Sequence, residues 1–151
     1  MQLVSRSLSD TIKIGRKLAK GLRRGDIICL SGQLGSGKTV LTKGIAEGIG
    51  FKKEAVVSPT FVIIRQYEKG KLPLYHFDLY RLRSPEDIQS LGYEEYFFGE
   101  GVTVVEWPDK LKHLMPKEYL RIELEIKTET DRRLHLVAFG RRYEELLKET
   151  R

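Results

Sequence analysis

The stretch Leu30 to Leu41, LSGQLGSGKTVL, constrains this chain more than any other feature, because it sets three glycines, a lysine and a threonine between two apolar runs. Gly32, Gln33, Leu34, Gly35, Ser36, Gly37, Lys38 and Thr39 fit the pattern G-x-x-x-x-G-K-[ST] in full. A turn of this kind asks several successive backbone N–H groups to converge on one point, and glycine adopts the torsions required at least cost. A helix that follows aims the positive end of its dipole at the same point. The occupant such a turn suits is a polyphosphate. Lys38 then reaches the β- and γ-phosphates, the Thr39 hydroxyl faces Mg²⁺, and Val40 joins Gly32 to Thr39 as a nucleotide-binding candidate.

The context agrees with the motif. The run DIICLS reads as a short apolar strand before the turn, and KTVLTKGIAEGIG as a helix of about three turns after it, ending at Gly48 or Gly50. Guanine specificity in the common GTPases uses an Asn-Lys-x-Asp strand end. The chain has no asparagine at all, so ATP is the expected nucleotide.

A phosphate loop of this kind needs a carboxylate at the end of a neighbouring strand to hold Mg²⁺ or its waters. VTVVEW delivers Glu106 after four apolar or β-branched residues, and LYHFD delivers Asp78. Glu106 is the favoured metal ligand, since its strand reads as buried and central; Asp78 then acts through water. Trp107 follows Glu106 directly and reads either as core or as a neighbour of the metal site. Thr60, in the segment Ser58 to Thr60, reads either as a strand-start threonine or as a sensor of the γ-phosphate.

The remaining pattern is that of an α/β protein. LSDTIKIGRKLAKGL spaces Leu8, Ile12, Leu18 and Leu22 as a helix capped by Ser9 or Asp10, with Gly21 near its end. SPTFVIIRQYEKGKLPLYHFDLYRL reads as a hairpin turning at Glu68 to Lys71, with Leu74, His76 and Asp78 on one face of the second arm. SPEDIQSLGYEEYF opens a helix with proline in its first turn, and GVTVVEW is a buried parallel strand. YLRIELEIKT and RRLHLVAFG alternate and pair antiparallel, and RRYEELLKE closes as a helix. At 151 residues the expectation is a single domain spanning 1–151.

No apolar run is long enough for a membrane span, and MQLVSRSLSDT lacks the core of a signal peptide. A lone cysteine, Cys29, inside an apolar run fits an inert core thiol in a reducing cytoplasm. The net charge of +6 is spread among acidic residues, which favours a solvated surface over a nucleic-acid face.

GQLGSGKT, SPTF, YHFDLYRL and EWPD occur here in an order and at intervals that resemble the TsaE family, also known as YjeE. The likeness runs over nearly the whole chain and implies a P-loop NTPase-like domain with a mixed, partly parallel sheet flanked by helices. It further implies a slow Mg²⁺-dependent ATPase of tRNA threonylcarbamoyladenosine synthesis that binds ATP or ADP. The expected partners are TsaD and TsaB, with tRNA reached through their complex. By motif, Gly35 to Thr39 hold phosphates, Thr39 and Glu106 hold Mg²⁺, Thr60 is the switch threonine and Asp78 the second acid. Trp107 lies near the nucleotide, and Thr11 takes the adenine side. Arg132 and Arg133 are the C-terminal candidates for a nucleotide contact. A small-molecule kinase with Asp78 as base is the alternative, although no arginine-bearing lid stands out in the sequence. A nucleotide-gated binding module is a third reading.

Overall fold

The apolar runs IICLS, LYHFD and VTVVE are too continuous for a half-exposed strand, and they pair in parallel at the centre of one sheet. The computed structural model describes residues 1–151, the Lys53 side chain apart. Its strands are β1 (Gln2–Ser5), β2 (Ile27–Ser31), β3 (Ile64–Tyr67), β4 (Leu74–Asp78), β5 (Val102–Glu106), β6 (Tyr119–Ile126) and β7 (Arg132–Phe139). They lie in the order β1-β7-β6-β2-β5-β4-β3. β6, β2, β5 and β4 run parallel, while β7, β1 and β3 are antiparallel additions at the edges. The mixed, partly parallel sheet expected from the sequence is the one observed.

Helices cover both faces. On one side α1 (Leu8–Ala19), α2 (Lys38–Gly48) and α5 (Arg141–Thr150) bury Leu18, Leu41, Ile45 and Leu146 against Ile28, Leu30, Val104 and Leu120 of the sheet. On the other, α3 (Pro85–Gln89), α4 (Glu94–Phe97) and a 3₁₀ stretch at Pro108–Leu114 close over Cys29, Phe77 and Val105. Phe77 meets Tyr96 and Phe97 edge-to-face, with ring centroids 5.4 and 5.5 Å apart.

α1 and α2 pack closely because glycines meet at their crossing. A Cβ on Gly15 would lie 2.6 Å from the Leu41 carbonyl oxygen, and one on Gly44 would lie 2.4 Å from that of Ile12. This contact sets the start of α1 beside the start of α2.

Some expectations shift. α1 is capped by Ser7, whose hydroxyl accepts from the Asp10 amide, and not by Ser9 or Asp10. The first hairpin arm narrows to Ile64–Tyr67. Before it the Val62 amide donates to the Pro59 carbonyl in a turn that leaves Phe61 84% exposed. The helix expected from Ser84 breaks into α3 and α4, with Gly92 between them in the left-handed region at φ 68°.

Candidate functional site

The loop leaves the C-terminal end of β2, at the middle of the sheet, where α/β folds place their ligands. Gly32 (φ 144°), Gly35 (φ 79°) and Gly37 (φ 106°) all sit in the left-handed region. A Cβ on Gly32 would fall 2.5 Å from the Leu124 carbonyl oxygen, so no other residue fits there. The Ser36 amide donates to Gln33, and that of Leu41 to Gly37. Among the described residues, the amides of Gly37, Lys38 and Thr39 between them find no protein acceptor, and Gly37 gives α2 no side-chain cap. The Arg132 guanidinium, at the start of β7, takes the carbonyls of Ser36 and Gly35 at 3.1 and 3.2 Å. Donors are thus left open while neighbouring acceptors are occupied, which suits an anion.

Lys38 is 6% exposed. Its Nζ donates to the Gly32 and Gln33 carbonyls at 2.7 and 3.0 Å and lies 4.5 Å from the centre of the Trp107 ring. Burial lowers its pKa below the ordinary lysine range, while Glu106 and then Asp78 pull the other way. Trp107 is turned over this ammonium by a left-handed backbone (φ 59°) and packs on Tyr80, ring centroids 5.0 Å apart.

Asp78 and Glu106 end adjacent parallel strands at paired register positions, each 3% exposed. Glu106 Oε1 accepts from Thr39 Oγ1 at 3.0 Å and lies 3.2 Å from His76 Nε2. Asp78 Oδ2 accepts from Thr60 Oγ1 at 2.6 Å, and its Oδ1 from the Tyr80 amide at 3.0 Å. Thr60 is in turn 2.8 Å from the Ser58 hydroxyl. Among the described residues no three His, Cys, Asp or Glu side chains gather into a metal cage. One threonine hydroxyl and one carboxylate do meet here, and that donor set suits Mg²⁺, which completes its shell with phosphate oxygens and water. Because the Thr39 hydroxyl gives its proton to Glu106, its lone pairs remain for a cation.

These groups line a cavity of about 640 Å³. Of the residues singled out from sequence, it gathers Thr11, Leu34, Gly35, Ser36, Gly37, Lys38, Thr39, Val40, Thr60, Asp78, Glu106 and Trp107. Gly32 and Gln33 stand behind the lining and touch the site through their carbonyls on Lys38. Thr11 is buried, and its hydroxyl is 2.7 Å from that of Ser5. Arg132 reaches the loop, whereas Arg133 is 3.8 Å from Glu125 and outside the lining. Sequence reasoning missed Ser7, Leu8, Tyr80, Glu129 and Thr130, which complete the rim. Glu129 and Thr130 sit in the turn between β6 and β7, and only the antiparallel pairing of those strands brings them to the loop.

A glycine-rich loop between the central parallel strand and a helix, facing two strand-end carboxylates, defines a protein of the P-loop α/β class. The profile of the TsaE family, described as Threonylcarbamoyl adenosine biosynthesis protein TsaE, matches residues 5–134, and the chain belongs to that family. It is 42% identical to the tRNA threonylcarbamoyladenosine biosynthesis protein TsaE of Bacillus subtilis over 140 residues, 93% of this chain and 87% of that protein. The TsaE of Treponema pallidum is 38% identical over 134 residues, covering 89% of this chain and 98% of the relative. In structure the chain is similar to the crystal structure of Bacillus subtilis YdiB, with a TM-score of 0.84 and 35% identity, covering 99% of this chain and 93% of that one.

Proposed function

We propose that this protein is a Mg²⁺-dependent ATPase of low intrinsic rate, working in the cytoplasm in the synthesis of threonylcarbamoyladenosine in tRNA. The observation that carries the reading is the loop Gly32–Thr39, with open amides, a buried ammonium and two facing carboxylates in one cavity. The names of the relatives supply the pathway.

In this reading the amides of Gly37, Lys38 and Thr39 bind the β- and γ-phosphates of ATP. Lys38 leaves the Gly32 and Gln33 carbonyls and neutralises charge that builds on the γ-phosphoryl oxygens. Thr39 and Glu106 hold Mg²⁺, which when bound withdraws charge from the phosphate oxygens. Asp78, fixed by Thr60 and the Tyr80 amide, orients the attacking water. Thr60 is the switch residue, since its hydroxyl is shared between Asp78 and Ser58. Ser7, Thr11 and Leu8 of the α1 start form the side of the cavity that takes the adenosine.

Coupling to TsaD and TsaB homologues rests on the surface beside the switch. Phe61 (84% exposed) and Val62 (52%) lie next to Thr60 in the turn, with the Arg81 guanidinium 5.4 Å from the centre of the Phe61 ring. An exposed apolar pair attached to the γ-phosphate side suits a partner that reads the nucleotide state. Phosphate release should be measured with purified TsaD and TsaB homologues and tRNA, and with each omitted. The reading expects slow release from the chain alone and a changed rate with the partners. A rate blind to every partner contradicts the coupling.

A further inference from the structure

His76 is fully buried in the middle of β4, on the face that also carries Asp78. Its Nε2 faces Glu106 Oε1 at 3.2 Å, and its Nδ1 is buried with no hydrogen-bond partner among the described residues. For packing alone this is a poor choice. The neighbouring positions on the same face are Leu74 and Val104, and an apolar residue would fill the space without stranding a ring nitrogen. Among the described residues, the one polar contact of the ring is to the Glu106 carboxylate. That contact also sets the tautomer, since a carboxylate oxygen accepts and so places the proton on Nε2.

The geometry points to His76 as a positioning residue for Glu106, a role that rests on the proposed magnesium–nucleotide reading of the site. The two bonds to Glu106 fall on the same oxygen: His76 from beneath, inside the sheet, and Thr39 from the start of α2. Two donors on Oε1 hold the carboxyl group against rotation and leave Oε2 without a protein partner among the described hydrogen bonds. Thr39 and Glu106 come from different elements, α2 and β5, and their side chains meet through the bond between them. His76 ties the carboxylate to a third element, the strand that also carries Asp78, so both acids are referenced to one rigid backbone. A partner of this kind acts on how well a cation is held.

The test is a set of substitutions read by magnesium affinity. Gln presents an amide N–H close to the position of histidine Nε2, whereas Asn reaches only as far as Nδ1, and Leu offers no donor. Trp107 is the chain's one tryptophan and lies in the site, so its fluorescence reports on titration of Mg²⁺ into the ADP-loaded protein. His76→Leu and His76→Asn should weaken Mg²⁺ affinity about tenfold or more. Affinity for ADP in EDTA should change less than twofold. His76→Gln should stay within about threefold of wild type. The Gln–Asn contrast decides the matter even where His76→Leu does not fold. Equal Mg²⁺ affinity across wild type, Gln and Asn overturns the role of His76 alone. A wild-type protein that binds no magnesium nucleotide overturns this role together with the reading it rests on.

Discussion

Lys38 holds its charge where water is largely excluded, on contacts that a phosphate chain would replace with better ones. Its carbonyl partners and the Trp107 ring keep the ammonium in place without neutralising it. Removing it should leave the fold intact and the chemistry without its main counter-charge. Lys38→Ala is expected to lower ATP turnover by at least about a hundredfold, read as phosphate release, the range seen for single transition-state donors. A second residue-scale expectation concerns alkaline pH. Burial pushes the Cys29 thiol up to about 12 and the Tyr143 hydroxyl up to about 12. Both groups lose their protons at lower pH when unfolded, near 9.0 and 10.0, so between those values and 12 the folded state binds more protons. Stability therefore falls as pH rises through this window, by up to about 1.4 kcal/mol per pH unit for each group. Urea midpoints taken from pH 8 to 11 should decline, and decline less steeply in Cys29→Ala. The same burial keeps Cys29 from reacting with thiol reagents until the protein opens.

At the scale of elements, the site exists because α1 and α2 cross at glycines and bring the first turns of both helices to one cavity. Gly44→Ala puts a methyl group into the Ile12 backbone, which cannot move aside as a flexible side chain would. The expected cost is about 1–3 kcal/mol, visible as a lower Tm, with weaker nucleotide binding as the start of α1 shifts. An unchanged Tm means that the helices separate freely and that α1 is not held as described. Elements with one dominant signal were legible in the sequence. β2, α2, β5 and the β6–β7 pair follow from apolar runs, alternation and the glycine-lysine pattern, and they carry the loop and Glu106. β1 was not legible, since four residues with one buried position look like a loop until β7 supplies their partners. FVII reads as strand, yet Pro59 and a positive φ at Ile63 bend it into a turn. Ser7 and Leu8 carry only the signal of a helix start, and Glu129 and Thr130 only that of a turn. Only tertiary contact brings them to the site.

Across the whole molecule the two ends of the sheet have different tasks. Beneath it, Asp26 accepts from Arg142 Nη2 at 2.6 Å and Nε at 3.0 Å, and so ties α5 to the start of β2. Above it, the C-terminal ends of β2, β4 and β5 converge on the loop and the two acids. Among the described residues no helix is long and apolar enough to cross a membrane. Exposed apolar side chains gather at this end: Leu8 and Leu34 line the cavity, and Phe61 and Val62 follow Thr60, where in the proposed reading nucleotide and partner would meet. The proposed task of the loop Gly32–Thr39 is to close on the phosphates of a magnesium nucleotide. Calorimetric titration of ATP into the protein, in Mg²⁺ and again in EDTA, tests it most directly. One saturable site per chain is expected, tighter in Mg²⁺ and lost in Lys38→Ala. Absence of saturable heat at millimolar ATP and ADP, or binding that Lys38→Ala leaves untouched, would contradict it.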